Sequence, residues 1–125
     1  MKLLDTSVAI DHLRGVQPAV DLLRRFVDEE ESVISSEVVR FELLAGVQTK
    51  EIDALEQFFS VITWIPVGEN ISRAAGELAR QHRRAYGGID DADYLIAATA
   101  LMLDADLITM NVRHFPMLTG LRPAY

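Results

Sequence analysis

The chain has 125 residues, of which 50% are hydrophobic and 25% are charged, a composition typical of a globular domain that argues against disorder. Its net charge of −7 has the wrong sign for a general nucleic-acid binder, and the absence of cysteine excludes disulfides and thiolate metal sites. The three histidines are scattered along the chain, so a metal would be held mainly by oxygen atoms, which favours Mg²⁺ or Mn²⁺ over zinc.

Short apolar strands alternate with helices along the whole sequence. In chain order the patterns predict strand Lys2–Leu4, helix Thr6–Leu13, helix 19–30, strand 32–36, helix 35–46, helix 50–61, strand 61–67, helix 70–87, helix 90–104, a short strand within 105–111, and a loop that ends in a last strand near Leu121. This alternation predicts an α/β fold with three layers, in which a short central parallel sheet is flanked by helices. No linker or repeat interrupts the pattern, so we expect one domain over residues 1–125.

No segment of the sequence is long and apolar enough to span a bilayer. The longest apolar stretch, residues 94–103, has only about half of the roughly 20 residues that a membrane helix needs. The first ten residues, "MKLLDTSVAI", contain Asp5 and lack the apolar region of a signal peptide. We therefore expect a soluble cytoplasmic protein without membrane contact.

Glu42 is an unexpected charge in the predicted helix 35–46. At 100° per residue it falls in the middle of an apolar side, whereas Arg40 lies on the opposite face. An ionised and unpaired carboxylate buried there would cost several kcal/mol, so Glu42 needs a cation, hydrogen bonds or an exit to solvent. Arg40 and Arg73 are candidate partners. The apolar residues on the same side are Val38, Val39, Ala45 and Gly46.

Two further carboxylates occupy positions where parallel α/β folds build their sites. Asp5 follows the first predicted strand, and Asp93 lies in the first turn of a helix that is apolar on nearly every side. Asp5 could instead cap the next helix, and Asp93 could form a capping pair with Asp90. If Asp5, Glu42 and Asp93 converge, their mutual repulsion calls for a divalent cation between them.

Four motifs stand out along the chain: "LLDTSVAID" near the start, "SSEVVRFELLAGV" in the middle, "DYLIAATA", and "TMNVRHF" near the end, the last two lying within the stretch 89–121. Together they resemble the PIN-domain nucleases, and more narrowly the VapC-type ribonuclease toxins of prokaryotic toxin–antitoxin pairs. Their order and spacing resemble the family over nearly the whole chain.

The resemblance implies roles for individual residues. Asp5, Glu42 and Asp93 match the catalytic, metal-binding acids of the family. Where many members carry a fourth acid, this chain has the neutral Asn111, with His114 nearby, so either Asn111 or Asp91 is the candidate fourth ligand. The residues that resemble groups orienting Asp5 and binding water are Thr6, Ser7 and Thr109.

The same resemblance implies a Mg²⁺- or Mn²⁺-dependent endoribonuclease that hydrolyses RNA phosphodiester bonds. Bunched arginines would supply a local positive surface for RNA, or would simply complement a helix dipole. They are Arg80, Arg83 and Arg84, together with Arg113.

The implied partners are a cognate antitoxin and a second copy of the chain in a homodimer. We expect two apolar sets to line partner surfaces: Phe41 with Leu44 on the Glu42 helix, and Leu22, Leu23 and Phe26 near the N-terminus. The alternatives to a toxin are a catalytically idle binding module of the same fold and an RNA-processing nuclease outside a toxin–antitoxin pair. Other phospho-chemistry enzymes fit poorly, because Ser7 stands where a dehalogenase-type phosphatase needs a second Asp.

Overall fold

A four-stranded parallel sheet lies at the centre of the computed structural model, which describes residues 1–125. The strands are β1 (Lys2–Leu4), β2 (Val33–Ser36), β3 (Thr63–Ile65) and β4 (Asp106–Ile108). Their spatial order is β3-β2-β1-β4, and Leu3 pairs with both Ile34 and Leu107. Asp5 therefore follows a central strand, at the edge where all four strands end.

Six helices cover the sheet and complete the predicted three-layer α/β/α arrangement, which is confirmed. The helices are α1 (Thr6–Leu13), α2 (Gln17–Asp28), α3 (Glu37–Gly46), α4 (Ile52–Ser60), α5 (Glu69–His82) and α6 (Asp91–Leu103), with short 3₁₀ turns at Thr49–Glu51 and Val112–His114. Right-handed crossovers place α1 to α4 on one face and α5 and α6 on the other. None of the helices combines the length and hydropathy needed to cross a membrane.

The core is built from the strands and the inner faces of the helices. Leu3, Leu4 and Ile96 are fully buried within one cluster of 17 residues. Each such side chain stabilises the fold by about 1.5–3 kcal/mol through removal of apolar surface from water. In α6, Ala97 and Ala98 are also fully buried, so this helix approaches its neighbours closely, as its apolar composition predicts.

The prediction of which side of the Glu42 helix is buried is wrong. The residues of α3 that enter the core are Val39 and Leu43, whereas Ala45 and Gly46 are exposed. The core-facing direction is therefore rotated by roughly one residue from the side that the sequence suggested. Glu42 lies at the margin of the buried face and is only half-buried.

The start of α3 also differs from the predicted bounds. Ser35 belongs to β2, and Ser36 caps the helix by accepting a hydrogen bond from the Val38 N–H at 3.1 Å. Helix α3 thus begins immediately after the strand, with no loop between them.

One of the two predictions of a partner surface is also wrong. Leu22, Leu23 and Phe26 are buried, because α2 turns this side towards the sheet. Val27 is the residue of α2 that remains 71% exposed. On α3, Phe41 and Leu44 are exposed as predicted.

The end of α5 and the last residues of the chain both depart from the sequence prediction. Helix α5 ends at His82 rather than at Gly87, because Arg83 binds Asp91 at 2.6 Å and the chain turns back through Gly88, which has a φ of +78°.

No strand forms near Leu121. Proline lacks an N–H, so Pro116 and Pro123 limit ladder pairing in the tail, whose Ala124 N–H makes a single backbone bond to Thr109 at 2.9 Å.

Candidate active site

Asp5 is a buried carboxylate held by two hydroxyl groups. Its side chain is at the carboxyl end of β1, with the residue only 4% exposed. Thr109, which follows β4, donates to Asp5 Oδ2 at 2.6 Å, and Ser7 donates to the same oxygen at 3.0 Å. Both bonds go to Oδ2, so neither occupies Oδ1. Asp5 stands at the N-cap position of α1 but makes no side-chain capping bond, so it is not there to cap the helix.

A small network fixes these two hydroxyls in turn. The Met110 N–H donates to Ser7 Oγ at 3.1 Å, and the Asn111 N–H donates to Thr109 Oγ1 at 2.9 Å. Each hydroxyl accepts from a backbone amide, which leaves its own hydrogen free to be donated to Asp5. The local sequence therefore places Asp5 in one fixed orientation.

Glu42 is stabilised by a hydroxyl and not by an arginine. Thr6, the residue next to Asp5, donates to Glu42 Oε1 at 2.7 Å. Arg40 binds Glu37 at 2.6 Å and Arg73 binds Glu69 at 3.0 Å, so neither candidate cation pairs with Glu42. Thr6 was expected to orient Asp5, and its contact with Glu42 instead links the two acids through adjacent residues.

Asp93 lies in the first turn of α6, and its carboxyl group is electrostatically perturbed. It forms the capping pair with Asp90, whose N–H donates to Asp93 Oδ2 at 3.2 Å. Burial raises the pKa of Asp93 to about 6, and the nearby negative charge of Asp5 adds to that rise. The Asp90 N–H and the His114 imidazole oppose the rise in the pKa.

Asp5 and Asp93 lie at the same end of the sheet, where the charge of Asp5 contributes to the raised pKa of Asp93, and Glu42 faces that end too. Glu42 lines a groove together with Ala92, the neighbour of Asp93. No group of three or more carboxylate or imidazole side chains is close enough together to hold a metal ion. A site that uses all three acids therefore requires a side-chain adjustment.

The two candidates for a fourth ligand lie in different places. Asp91 points away from Asp5, since its carboxylate is 85% exposed and accepts a hydrogen bond from Arg83. Asn111 is exposed, and its contact with the site runs through its backbone N–H to Thr109. Asp91 thus forms an ion pair with Arg83, whereas the Asn111 side chain forms none.

His114 is a neighbour of the site that the sequence argument did not assign. Its Nδ1 atom lies 3.5 Å from Asp93 Oδ2. The available signal was its position in "TMNVRHF", where the family resemblance implies an acid, but the contact with Asp93 depends on the 3₁₀ turn that follows β4. A protonated His114 would offset part of the negative charge of the carboxylate pair.

The arginines predicted to bind RNA fall into two groups. Arg80, Arg83 and Arg84 line a groove of about 730 Å³ between α5 and α6, with Tyr94 in its wall. Arg83 is occupied by Asp91 and lies over the Tyr94 ring at 5.5 Å, whereas Arg80 and Arg84 make no ion pair. Arg113 is exposed in the 3₁₀ turn beside His114, so the structure separates it from the groove.

Comparison with known proteins identifies the family to which this chain is related. The family described as the PIN domain matches residues 2–117. A ribonuclease named VapC19 from Mycobacterium tuberculosis is 56% identical over 125 residues, covering 100% of both chains. This chain is a PIN-domain protein of the VapC family. The resemblance inferred from the four motifs is confirmed.

Other VapC proteins are also similar along their length. Ribonuclease VapC10 of Mycobacterium tuberculosis is 40% identical over 125 residues, covering 100% of this chain and 93% of the relative. The VapBC-1 structure from nontypeable Haemophilus influenzae matches with a TM-score of 0.79 and 26% identity, over 97% of this chain and 94% of the other. VapBC2 of Rickettsia felis, solved with a promoter DNA fragment, matches with a TM-score of 0.81 over 96% and 94%, and at 23% identity it shows the PIN fold alone.

Proposed function

We propose that this VapC-family protein is a metal-dependent endoribonuclease that hydrolyses RNA phosphodiester bonds and acts as the toxin of a toxin–antitoxin pair. The observation that carries the proposal is the Asp5–Asp93 pair, a buried and a partly buried carboxylate at the carboxyl end of the sheet, where the charge of Asp5 helps to raise the pKa of Asp93. A fold rarely keeps two such charges together without a use, because burial and repulsion both oppose ionisation. The 56% identity to a named ribonuclease supports the same activity here.

The donor atoms fit a hard divalent cation. Asp5, Glu42 and Asp93 offer only carboxylate oxygens, which suit Mg²⁺ or Mn²⁺ and not a soft metal. Such an ion, when bound, neutralises phosphate charge and provides water that is more easily deprotonated. We assign the ion to Asp5 and Asp93, with Glu42 joining them after a side-chain adjustment and Asn111 as the candidate fourth ligand.

The residues around these acids have separate tasks. Ser7 and Thr109 hold Asp5 Oδ2, so the carboxylate presents Oδ1 to the site without rotating. Thr6 keeps Glu42 on the side of the site that faces α1. At neutral pH Asp93 is mostly ionised despite its raised pKa of about 6, and a bound cation would complete the ionisation.

Binding of RNA to an acidic chain requires a local positive surface. Arg80 and Arg84 provide one, because they line the α5–α6 groove and have no acidic partner. Arg113 is a separate candidate on the side of His114. Asp91 lines this groove and Asp93 lies in the same first turn of α6, so the groove and Asp93 share one end of that helix.

The partners we propose are a cognate antitoxin and a second copy of the chain. VapBC toxin–antitoxin complexes share this fold, which supports an antitoxin partner. A homodimer is supported by the exposed apolar side chains of Phe41 and Leu44 on α3. We place the activity in the cytoplasm, where an RNA substrate would be available.

The decisive experiment removes the charge of each acid without changing its shape. Asp5→Asn, Glu42→Gln and Asp93→Asn should each reduce RNA cleavage by about 100-fold or more under Mg²⁺ or Mn²⁺, because even loss of an outer partner of a metal ligand typically costs about 10- to 100-fold. Circular dichroism should show an unchanged fold. Asp53→Asn, an exposed acid on α4, is the control and should cleave at the native rate. Native cleavage by all three variants would overturn the assignment.

A further inference from the structure

The tail segment, residues 121–125, contacts both structural parts that hold Asp5. The Ala124 N–H donates to the Thr109 carbonyl at 2.9 Å, and the Tyr125 hydroxyl donates to Asp11 Oδ2 at 2.5 Å. Asp11 belongs to α1, the helix that begins one residue after Asp5. The tail therefore joins the end of β4 to α1 across the edge where the site lies.

The bond from Ala124 acts on a peptide unit that is held at both ends. Because a peptide is planar, the Thr109 carbonyl and the Met110 N–H are parts of one rigid group that point in opposite directions. Ala124 holds the carbonyl end, and Ser7 Oγ accepts from the N–H end at 3.1 Å. Rotation of this unit would break both bonds together.

Both hydroxyls that bind Asp5 depend on that peptide unit. Thr109 is fully buried and its Oγ1 donates to Asp5, whereas Ser7 can donate to Asp5 while it accepts from Met110. A change in the orientation of the Thr109–Met110 peptide would thus disturb the two groups that set the direction of the carboxylate.

We propose that the tail segment is a positioning element for Asp5, in which Ala124 fixes the Thr109–Met110 peptide so that Thr109 and Ser7 both donate to Asp5 Oδ2. The proposal rests on the proposed function, in which Asp5 binds the metal. Tyr125 supports Ala124 by fixing the end of the tail on Asp11. The competing explanation is that the tail only covers the core, since Leu121 and Ala124 also pack against the main hydrophobic cluster.

The first test removes the donor of the tail. Ala124→Pro deletes the N–H, and Arg122→Pro is its control, because the Arg122 N–H donates to no protein group. By calorimetry, Ala124→Pro should weaken Mn²⁺ binding about 3–10-fold, somewhat less than loss of a direct partner of a metal ligand. The value of kcat should fall by a similar factor while the KM for RNA stays unchanged. Arg122→Pro should alter neither value.

A double-mutant cycle separates positioning from simple coverage. Thr109→Val removes the hydroxyl that the tail is proposed to aim, so adding Ala124→Pro to Thr109→Val should cause little further loss of Mn²⁺ affinity. A tail that only covers the core would produce the same fold-loss in both backgrounds. Equal losses, or an effect of Arg122→Pro as large as that of Ala124→Pro, would overturn the proposal.

Hydrogen exchange gives a readout that needs neither metal nor RNA. In the metal-free protein, Ala124→Pro should increase the exchange rate of the Met110 and Asn111 amides by about tenfold or more, because their acceptors lose their support. Tyr125→Phe should give a smaller increase. Failure of the wild type to bind Mn²⁺ would contradict the proposed function, whereas unchanged Met110 exchange would contradict the role of the tail by itself.

Discussion

Asp93 is the residue whose ionisation links the site to the stability of the fold. Its pKa is about 6 in the folded chain and about 4 in an unfolded one, so the folded state binds the proton more tightly. The free energy of unfolding therefore falls as pH rises from about 4 through 6, and the loss is nearly complete about one pH unit above the folded pKa. Two pKa units correspond to on the order of 2–3 kcal/mol, an upper limit because the site relaxes and admits some water.

Replacement of Asp93 by the neutral Asn should remove this cost. In metal-free protein, Asp93→Asn should raise the free energy of unfolding relative to wild type by on the order of 1–2 kcal/mol at pH 7.5, and by little at pH 4, where Asp93 is already protonated. Urea unfolding at the two pH values measures the difference. His114 faces the same carboxylate, so the comparison is repeated with His114→Gln in both chains. The same gain at both pH values would contradict the argument.

The residues of the site could be predicted from the sequence, but most of the contacts between them could not. Asp5 and Asp93 were found because a strand end and a helix start bear charges next to apolar segments. The partner of Glu42 could not be found in this way, since Thr6 is 36 positions away and meets it only because β1 and β2 are neighbours. The ion pair of Arg83 with Asp91 was missed for a similar reason, as it depends on how the chain turns between α5 and α6.

At the scale of elements, the prediction succeeded where periodicity was decisive. Helix α1 and strand β1 have the predicted bounds, because Asp5 separates two clearly different patterns. In α3 the apolar residues nearly surround the helix, so periodicity alone could not choose the buried side, and packing against the sheet selected Val39 and Leu43. In the tail, one backbone bond from Ala124 replaces the predicted strand.

A prediction about RNA binding concerns Arg80 and Arg84, at and just beyond the end of helix α5. In the Asp5→Asn background, which prevents cleavage, Arg80→Gln with Arg84→Gln should weaken binding of single-stranded RNA. The slope of log affinity against log salt should become smaller by about 0.7 for each phosphate contact that is lost, or about 1.4 for both. Fluorescence anisotropy over a series of salt concentrations measures that slope.

A matched control is present on the same helix. Arg73 is exposed, pairs with Glu69 and does not line the α5–α6 groove. Arg73→Gln removes one positive charge from α5, as does the single variant Arg80→Gln, so a general change in net charge would affect these two variants alike. If the slope changes equally in the two cases, RNA does not follow the groove.

At the scale of the whole molecule, two opposing effects act on the proposed homodimer: apolar contact between the chains favours it, and repulsion between their net charges opposes it. Phe41 is 69% exposed and Leu44 is 43% exposed, and their spacing of three residues places them side by side on α3. Two chains of net charge −7 repel each other at long range. Salt screens that repulsion without weakening apolar burial, so association should become stronger as ionic strength rises towards the physiological value.

Sedimentation velocity at high micromolar concentration should therefore give twice the 14.0 kDa mass of one chain, and more dimer at physiological than at low salt. Phe41→Ser with Leu44→Ser should shift the protein to the single-chain mass, because two apolar contacts are lost from a small interface. Val27→Ser removes an equally exposed apolar side chain from α2 and should leave the mass unchanged. A wild-type monomer under these conditions would count against the dimer. Dissociation by added salt would instead indicate an interface held by ion pairs rather than by Phe41 and Leu44.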